Sequence, residues 1–287
     1  IRILRQYTRY RYKLVSMKSS EKNRFQNAFT VCNVALDSVV SDMFGASAIT
    51  DYLISSDSFN PDYCRSLLKR SLKKKADSVL TSIEGYSMTS EQKFRVKVVR
   101  EHLSAIDHSI AKIDNAISKM VSEYESLISL LCTIPGVDRN SAITIISEIG
   151  TDVDLFGSSK RLCRWAGLTP GNNESAGKKK SVRISRAGVY LKPALVQVAH
   201  AAVKSTASPY YRLKYERLSK RRGKKRAVIA IARMILTAVF SILKTGEVWN
   251  PTDLFKVDLP EHLKELQRTK AIKQAFKFLL SQGVLSS

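Results

Sequence analysis

Metal-binding and disulfide patterns are the first things this sequence lacks. Its 287 residues include four cysteines, Cys32, Cys64, Cys132 and Cys163, and no two of them stand in C-x-x-C spacing. A zinc site or a disulfide framework is therefore not expected, and a reducing cytosol fits. The four histidines, His102, His108, His200 and His262, form no ligand pattern either, so no metal is expected to be held by this chain. The first residues given are charged and have no apolar h-region, so no signal peptide is expected in them. The longest apolar run, Ala227 to Leu243, is interrupted by Arg233 and reads as a packed core helix rather than a membrane span.

Acidic residues are scarce where bases are dense. The net charge is +23, and between Gly157 and Arg226 there are 19 lysines and arginines against two acids, Glu174 and Glu216. The first 24 residues carry eight bases and one acid, Glu21. From Asn27 to Phe156 the chain is slightly acidic, so the excess forms two patches rather than a uniform coat. Solubility does not require such clustering. It is the footprint of a polyanion binder, with DNA or RNA as the usual partner.

The chain is long enough for two or three domains, and its periodicity is helical nearly throughout. Residues 1–30 read as a basic amphipathic helix, with Tyr7, Tyr10, Tyr12 and Phe25 among Arg2, Arg5, Arg9, Arg11 and Lys13. Those aromatics suit stacking on bases and core packing equally well. Shorter helices follow, separated by 55–62 and 84–91, with Thr89 or Ser90 placed to cap the next one. From Val96 through Leu103, Ile110, Ile117 and Tyr124 to Leu131, apolar residues alternate by three and four. This predicts a coiled-coil seam on one helix about 50 Å long. Its partner is either the helix at 1–45 or the same helix of a second protomer. Pro135-Gly136 then breaks the register, and Asn140 or Ser141 opens the next helix. The pattern has the look of a helix–hairpin–helix element, whose turn at Gly136 offers backbone N–H groups to a phosphate. Asp152 and Asp154 fit a capping loop better than a metal site. An apolar helix is expected over 189–204, then a basic loop bent at Gly223, then a mixed-charge tail helix over 261–281. The expected divisions are 1–130, helical and coiled coil; 131–250, a second helical domain; and 251–287, the tail.

Ser175 lies in the segment WAGLTPGNNESAGKKKSVRISRAG, residues 165–188. Turn formers precede it, Ala176 and Gly177 follow, and Lys178, Lys179, Lys180, Arg183 and Arg186 come next. Glycine and asparagine tolerate a sharp bend, small neighbours admit a phosphodiester, and the cations offset its charge. A hydroxyl so placed could attack phosphorus to give a protein–DNA ester. The competing reading is a surface turn leading into a basic, phosphate-contacting hairpin. Arg221, Arg222, Lys224, Lys225 and Arg226 form the second cationic cluster, which reads as a phosphate clamp.

In this order the segments resemble the IS-one-ten family of insertion-sequence transposases, closest to its IS-eleven-eleven subgroup. The resemblance rests on RQYTRYRYKLV, EKNRFQNAF, VVSDMFGASA, IPGV…EIGTDVDLF, LCRWAGLTPGNNESAGKKKS and RRGKKRAVIAIARMIL. It implies a mainly α fold, with a long coiled-coil arm followed by a helical transposase domain carrying the helix–hairpin–helix element and a basic serine loop. It implies that Ser175 is the nucleophile of DNA strand cleavage and transfer, through a phosphoserine–DNA intermediate. It also implies DNA as substrate (element ends and target), a structured bridge RNA as guide, and a homo-oligomer joined through the coiled coil. The protein would be cytoplasmic, with no membrane partner. The family's Mg²⁺ is held by four carboxylates, a DEDD set, in an amino-terminal domain. No acid here matches them, so the expectation is a chain that lacks this domain and is inactive alone. The alternative is a non-catalytic helix–hairpin–helix protein that binds structured DNA or RNA. All these readings share one expectation: affinity for nucleic acid falls steeply with salt. With six cations on phosphates the loss between 50 and 200 mM is about 10³-fold. A binding titration across salt concentrations measures it, and a flat response would count against them all.

Overall fold

The computed structural model describes the chain except residues 57, 172, 176–177, 182, 207, 252–264, 266–267, 271, 274 and 277–287. The side chains of 70–71, 173–175 and 178–181 also lie outside the described residues. The fold is mainly helical. Eleven α-helices are described: α1 Arg2–Thr30, α2 Ser47–Ser55, α3 Pro61–Leu67, α4 Ala76–Thr81, α5 Ser90–Met120, α6 Glu125–Leu131, α7 Arg139–Ile149, α8 Ser159–Trp165, α9 Leu191–Lys204, α10 Tyr210–Arg222 and α11 Lys224–Thr245. Two short antiparallel strands, β1 Asn173–Ser175 and β2 Lys178–Ser181, stand between α8 and α9. The expected tail helix falls largely outside the described residues. Within its range 265, 268–270, 272–273 and 275–276 are helical.

The chain divides into two compact units, Ile1–Arg9 with Ile117–Ser287, and Tyr10–Ala116. In the second unit the core is apolar and aromatic. Phe25, Phe29, Leu36, Ile49, Leu53, Leu68, Val79 and Ile83 are each buried, and the Phe25 ring lies 4.9 Å from those of Phe29 and Phe44. Caps set the helix starts. Asn60 accepts from Tyr63 N at 3.0 Å with Pro61 in the first turn of α3. Thr89 and Gln92 form a reciprocal capping box at α5, with Gln92 N to Thr89 Oγ1 at 3.3 Å and Thr89 N to Gln92 Oε1 at 2.8 Å. Of the two caps expected there, Thr89 is the one used. Within this unit α1 and α5 run antiparallel. Arg11 pairs with Asp114, Lys18 with Asp107, and His102 Nδ1 lies 3.2 Å from Glu21.

The seam expected to run unbroken to Leu131 does not stay on one helix. α5 ends at Met120, a 3₁₀ turn occupies Ser122–Tyr124, and α6 starts afresh. Ser122 Oγ donates to Lys119 O at 3.0 Å, a local bond that competes with the helical ladder. The spacing by three and four continues through a 3₁₀ turn, so periodicity alone could not register the change.

In the first unit α11 is the central element and packs against α6, α8, α9 and α10. Ile231, Ile235, Leu236 and Val239 on it are fully buried. By length and composition α11 could cross a membrane, yet half of its apolar window is buried inside the protein, as the core-helix reading requires. Small residues set the spacing here. Ala199 and Ala202 of α9 are fully buried, and Gly136, at φ +88°, lies against the α9 backbone. A Cβ there would stand 2.5 Å from Ala202 N and 2.7 Å from Val198 O. The next helix is capped by Asp138, which accepts from Ser141 N at 2.9 Å, and not by Asn140 or Ser141 as expected. Asp138 precedes the helix in extended geometry, as an N-cap must, whereas Asn140 already lies inside it.

Tyr210 and Tyr211, which stand beside Arg212 and Lys214 in sequence, are buried and pack on Trp249 with ring separations of 5.4 and 5.9 Å. Lys214 turns inward as well, and its ammonium donates to Tyr210 Oη at 2.7 Å. Gly136→Ala tests the close approach. It combines backbone strain with a clash against rigid α9, and the expected loss is about 2–4 kcal/mol of unfolding free energy, read from urea denaturation.

Candidate nucleic-acid interface and serine hairpin

Ser175 closes β1 at the turn. The register sets Ser175 opposite Lys178, Glu174 opposite Lys179 and Asn173 opposite Ser181, with a bulge between Asn173 and Glu174. Ala176 and Gly177, and the side chains of Ser175, Lys178, Lys179 and Lys180, lie outside the described residues.

The base of this hairpin is described in full. Pro170 bridges Ile184, and Gly171 N donates to Arg183 O at 3.1 Å. Below it α8 ends in a Schellman motif: Leu168 N donates to Cys163 O and Gly167 N to Arg164 O, both at 3.0 Å, with Gly167 at φ +70°. Gly188 faces Ala166 so closely that a Cβ would lie 2.3 Å from its carbonyl oxygen. Lys192 Nζ donates to Ser185 O at 2.7 Å and Ala187 O at 2.9 Å, tying the returning strand to the first turn of α9. Burial lowers the pKa of that ammonium. Arg183 and Arg186 are exposed along this return.

The second cationic cluster is not the loop that was expected. α10 runs to Arg222 and α11 starts at Lys224, with Gly223 (φ +81°) as the sole residue between them. Arg221 and Arg222 thus belong to the last turn of α10, and Lys224, Lys225 and Arg226 to the first turn of α11. All five are exposed, and none has a carboxylate partner among the described residues. The apolar positions from Ala227 onward are buried in step with the helix, so the cations continue a helix rather than interrupt it. Gly136, whose turn was expected to offer N–H groups to a phosphate, is half-buried and lies against α9.

The aspartates at 152 and 154 act as a turn. Asp154 N donates to Asp152 Oδ1 at 3.0 Å, and Lys244 pairs with Asp154 at 2.7 Å. Among the described residues no three His, Cys, Asp or Glu side chains gather as a metal site. All four cysteines are free, and burial raises the pKa of each thiol.

Sequence reasoning missed the support beneath the hairpin. Arg9 reaches Glu148 through two bonds of 2.7 and 2.8 Å, and its guanidinium lies over the Tyr190 ring at 4.8 Å. Arg5 donates to Ser147 O at 2.7 Å, while the Thr8 and Ser147 hydroxyls are 2.9 Å apart. The hydrogen bonds to Glu148 raise the pKa of Arg9. The available signal was Glu148 itself, an acid on the apolar face of an isoleucine-rich helix, which requires a cation.

The site is thus a short hairpin on a helical base, with Arg183 and Arg186 exposed along its return. Residues 128–216 match the family described as Transposase IS116/IS110/IS902 family, from α6 through most of α10 and including Ser175. The match supports insertion-sequence transposase function. No curated protein matches the chain. The joint at Gly223 lies just beyond the matched range, and its contribution is separately testable. Alanine at Arg221, Arg222, Lys224, Lys225 and Arg226 should weaken binding to DNA of any sequence, lowering the salt slope by about one for each phosphate no longer neutralised. Fluorescence anisotropy over a salt series reads this, with circular dichroism expected to stay unchanged.

Proposed function

We propose that this chain supplies the nucleophile, Ser175, for DNA strand cleavage and transfer by an insertion sequence, and that it does not complete the reaction alone. The observation that carries the reading is the family match over 128–216, which encloses Ser175 together with Lys178, Lys179, Lys180, Arg183 and Arg186. Ser175 Oγ attacks phosphorus and gives up its proton, the P–O bond to a sugar oxygen breaks and that oxygen takes up a proton to leave as a hydroxyl, and a phosphoserine ester forms that conserves the bond energy. The released sugar hydroxyl of another strand then attacks this ester, rejoining DNA and freeing the serine. Lys178, Lys179, Lys180, Arg183 and Arg186 offset charge on the phosphoryl oxygens as it develops. Arg221, Arg222, Lys224, Lys225 and Arg226 hold the flanking duplex through its phosphates.

The Mg²⁺ that the resemblance implies has no ligand set among the described residues, and no step is routed through it. A structured guide RNA and a second protomer complete the reading. Both rest on the family resemblance.

Recombination in cells that carry the element's ends and the complete gene tests the proposal. Ser175→Ala should reduce rejoining about 10³-fold or more, leaving DNA affinity within about twofold. Rejoining undiminished in Ser175→Ala would overturn the nucleophile and favour a protein that only binds.

A further inference from the structure

α8 carries a surface that the transfer chemistry does not use. Its buried side consists of Leu162, Cys163 and the following Ala166, which pack toward α11. The opposite side presents Lys160, Arg161, Arg164 and Trp165, all exposed. Residues 161, 164 and 165 share one helix face by their spacing of three and four. None of the three cations has a carboxylate partner among the described residues. The nearest acids in sequence are engaged elsewhere, Asp152 by Asp154 N and Asp154 by Lys244.

Trp165 is 45% exposed, unusual for an indole at the edge of a well-packed helix. One side of it is held: the Phe156 ring lies 5.3 Å away at 58°. The result is a positioned aromatic platform with three cations beside it. An indole ring beside uncompensated cations matches the chemistry of single-stranded nucleic acid, in which a π-face and a phosphate alternate along the strand. Duplex DNA offers the phosphates but keeps its base faces stacked.

We propose that the exposed side of α8 is a stacking site for an unpaired nucleobase. Trp165 is the platform, and Lys160, Arg161 and Arg164 hold the adjoining phosphates. The inference rests on the polyanion-binding reading and goes further, by assigning a single-stranded segment to a place distinct from the serine hairpin.

The chain has two tryptophans, and Trp249 is packed against Tyr210 and Tyr211, so fluorescence can distinguish them. The full chain is titrated with an oligothymidine, with an abasic strand of equal length, and with a duplex. Quenching by the base-bearing strand but not by the abasic one is expected, and it should disappear in Trp165→Phe. Trp165→Ala should weaken oligothymidine binding about 5- to 100-fold, with duplex binding within about twofold. Trp165→Phe keeps a ring against Phe156 and should retain most of the affinity, which separates stacking from misfolding. Quenching that survives in Trp165→Phe, or equal losses on all three ligands in Trp165→Ala, would overturn the proposal. So would unchanged binding in Trp165→Ala, as expected if this face docks a protein. Strand binding without any quenching removes this site alone, whereas no binding to any of the three removes the polyanion reading with it.

Discussion

Like-charge repulsion acts across the whole stretch from Gly157 to Arg226, where 19 lysines and arginines meet two acids. A compact state gathers those charges, and its apolar core has to offset that cost. The arrangement of the first unit follows from this constraint. Apolar positions of α9 and α11 are buried almost completely, and the cations lie at helix ends and on outward faces. Where a lysine does turn inward, neutral oxygens receive it: Lys214 meets a tyrosine hydroxyl and Lys192 two carbonyls. The structure disperses charge in preference to neutralising it, which leaves the surface available to a polyanion.

Close packing of small residues makes the dispersal possible. Gly136 against α9 and Gly188 against Ala166 bring backbone to backbone at two points of the first unit. Contacts of that kind resist deformation because no flexible side chain intervenes. The Arg9–Glu148 pair adds a charged tie nearby, with Glu148 buried and its carboxylate satisfied by both guanidinium bonds. A reactive or phosphate-contacting loop benefits from such a base, since its geometry is set by elements that do not move with it.

Much of this was legible in the sequence. The helical class, the basic first helix, the core character of 227–243 and the turn at 135–136 all follow from periodicity and from turn chemistry. The departures share a physical origin. Periodicity reports which residues face inward but not whether the helix axis continues, so the break after Met120 and the single-residue joint at Gly223 were invisible. Capping depends on the φ and ψ of one residue, and Asp138 took a place that composition offered equally to Asn140 and Ser141. Charge counts cannot tell whether an aromatic beside a base is buried, which is why Tyr210 and Tyr211 belong to the core and Trp165 does not. The support from Arg5, Thr8 and Arg9 joins residues about 140 positions apart in sequence, beyond the reach of any local pattern.

The joint at Gly223 has a thermodynamic consequence. Lys224, Lys225 and Arg226 occupy the first turn of a 22-residue helix that has no acid there to balance them. They therefore sit at the positive end of the helix dipole, where cations are unfavourable. Phosphate bound at that corner would offset this cost, and occupancy and conformational stability would then be linked. On that account the ligand-free molecule would be the less heat-resistant one, with nucleic acid as its stabilising counterion.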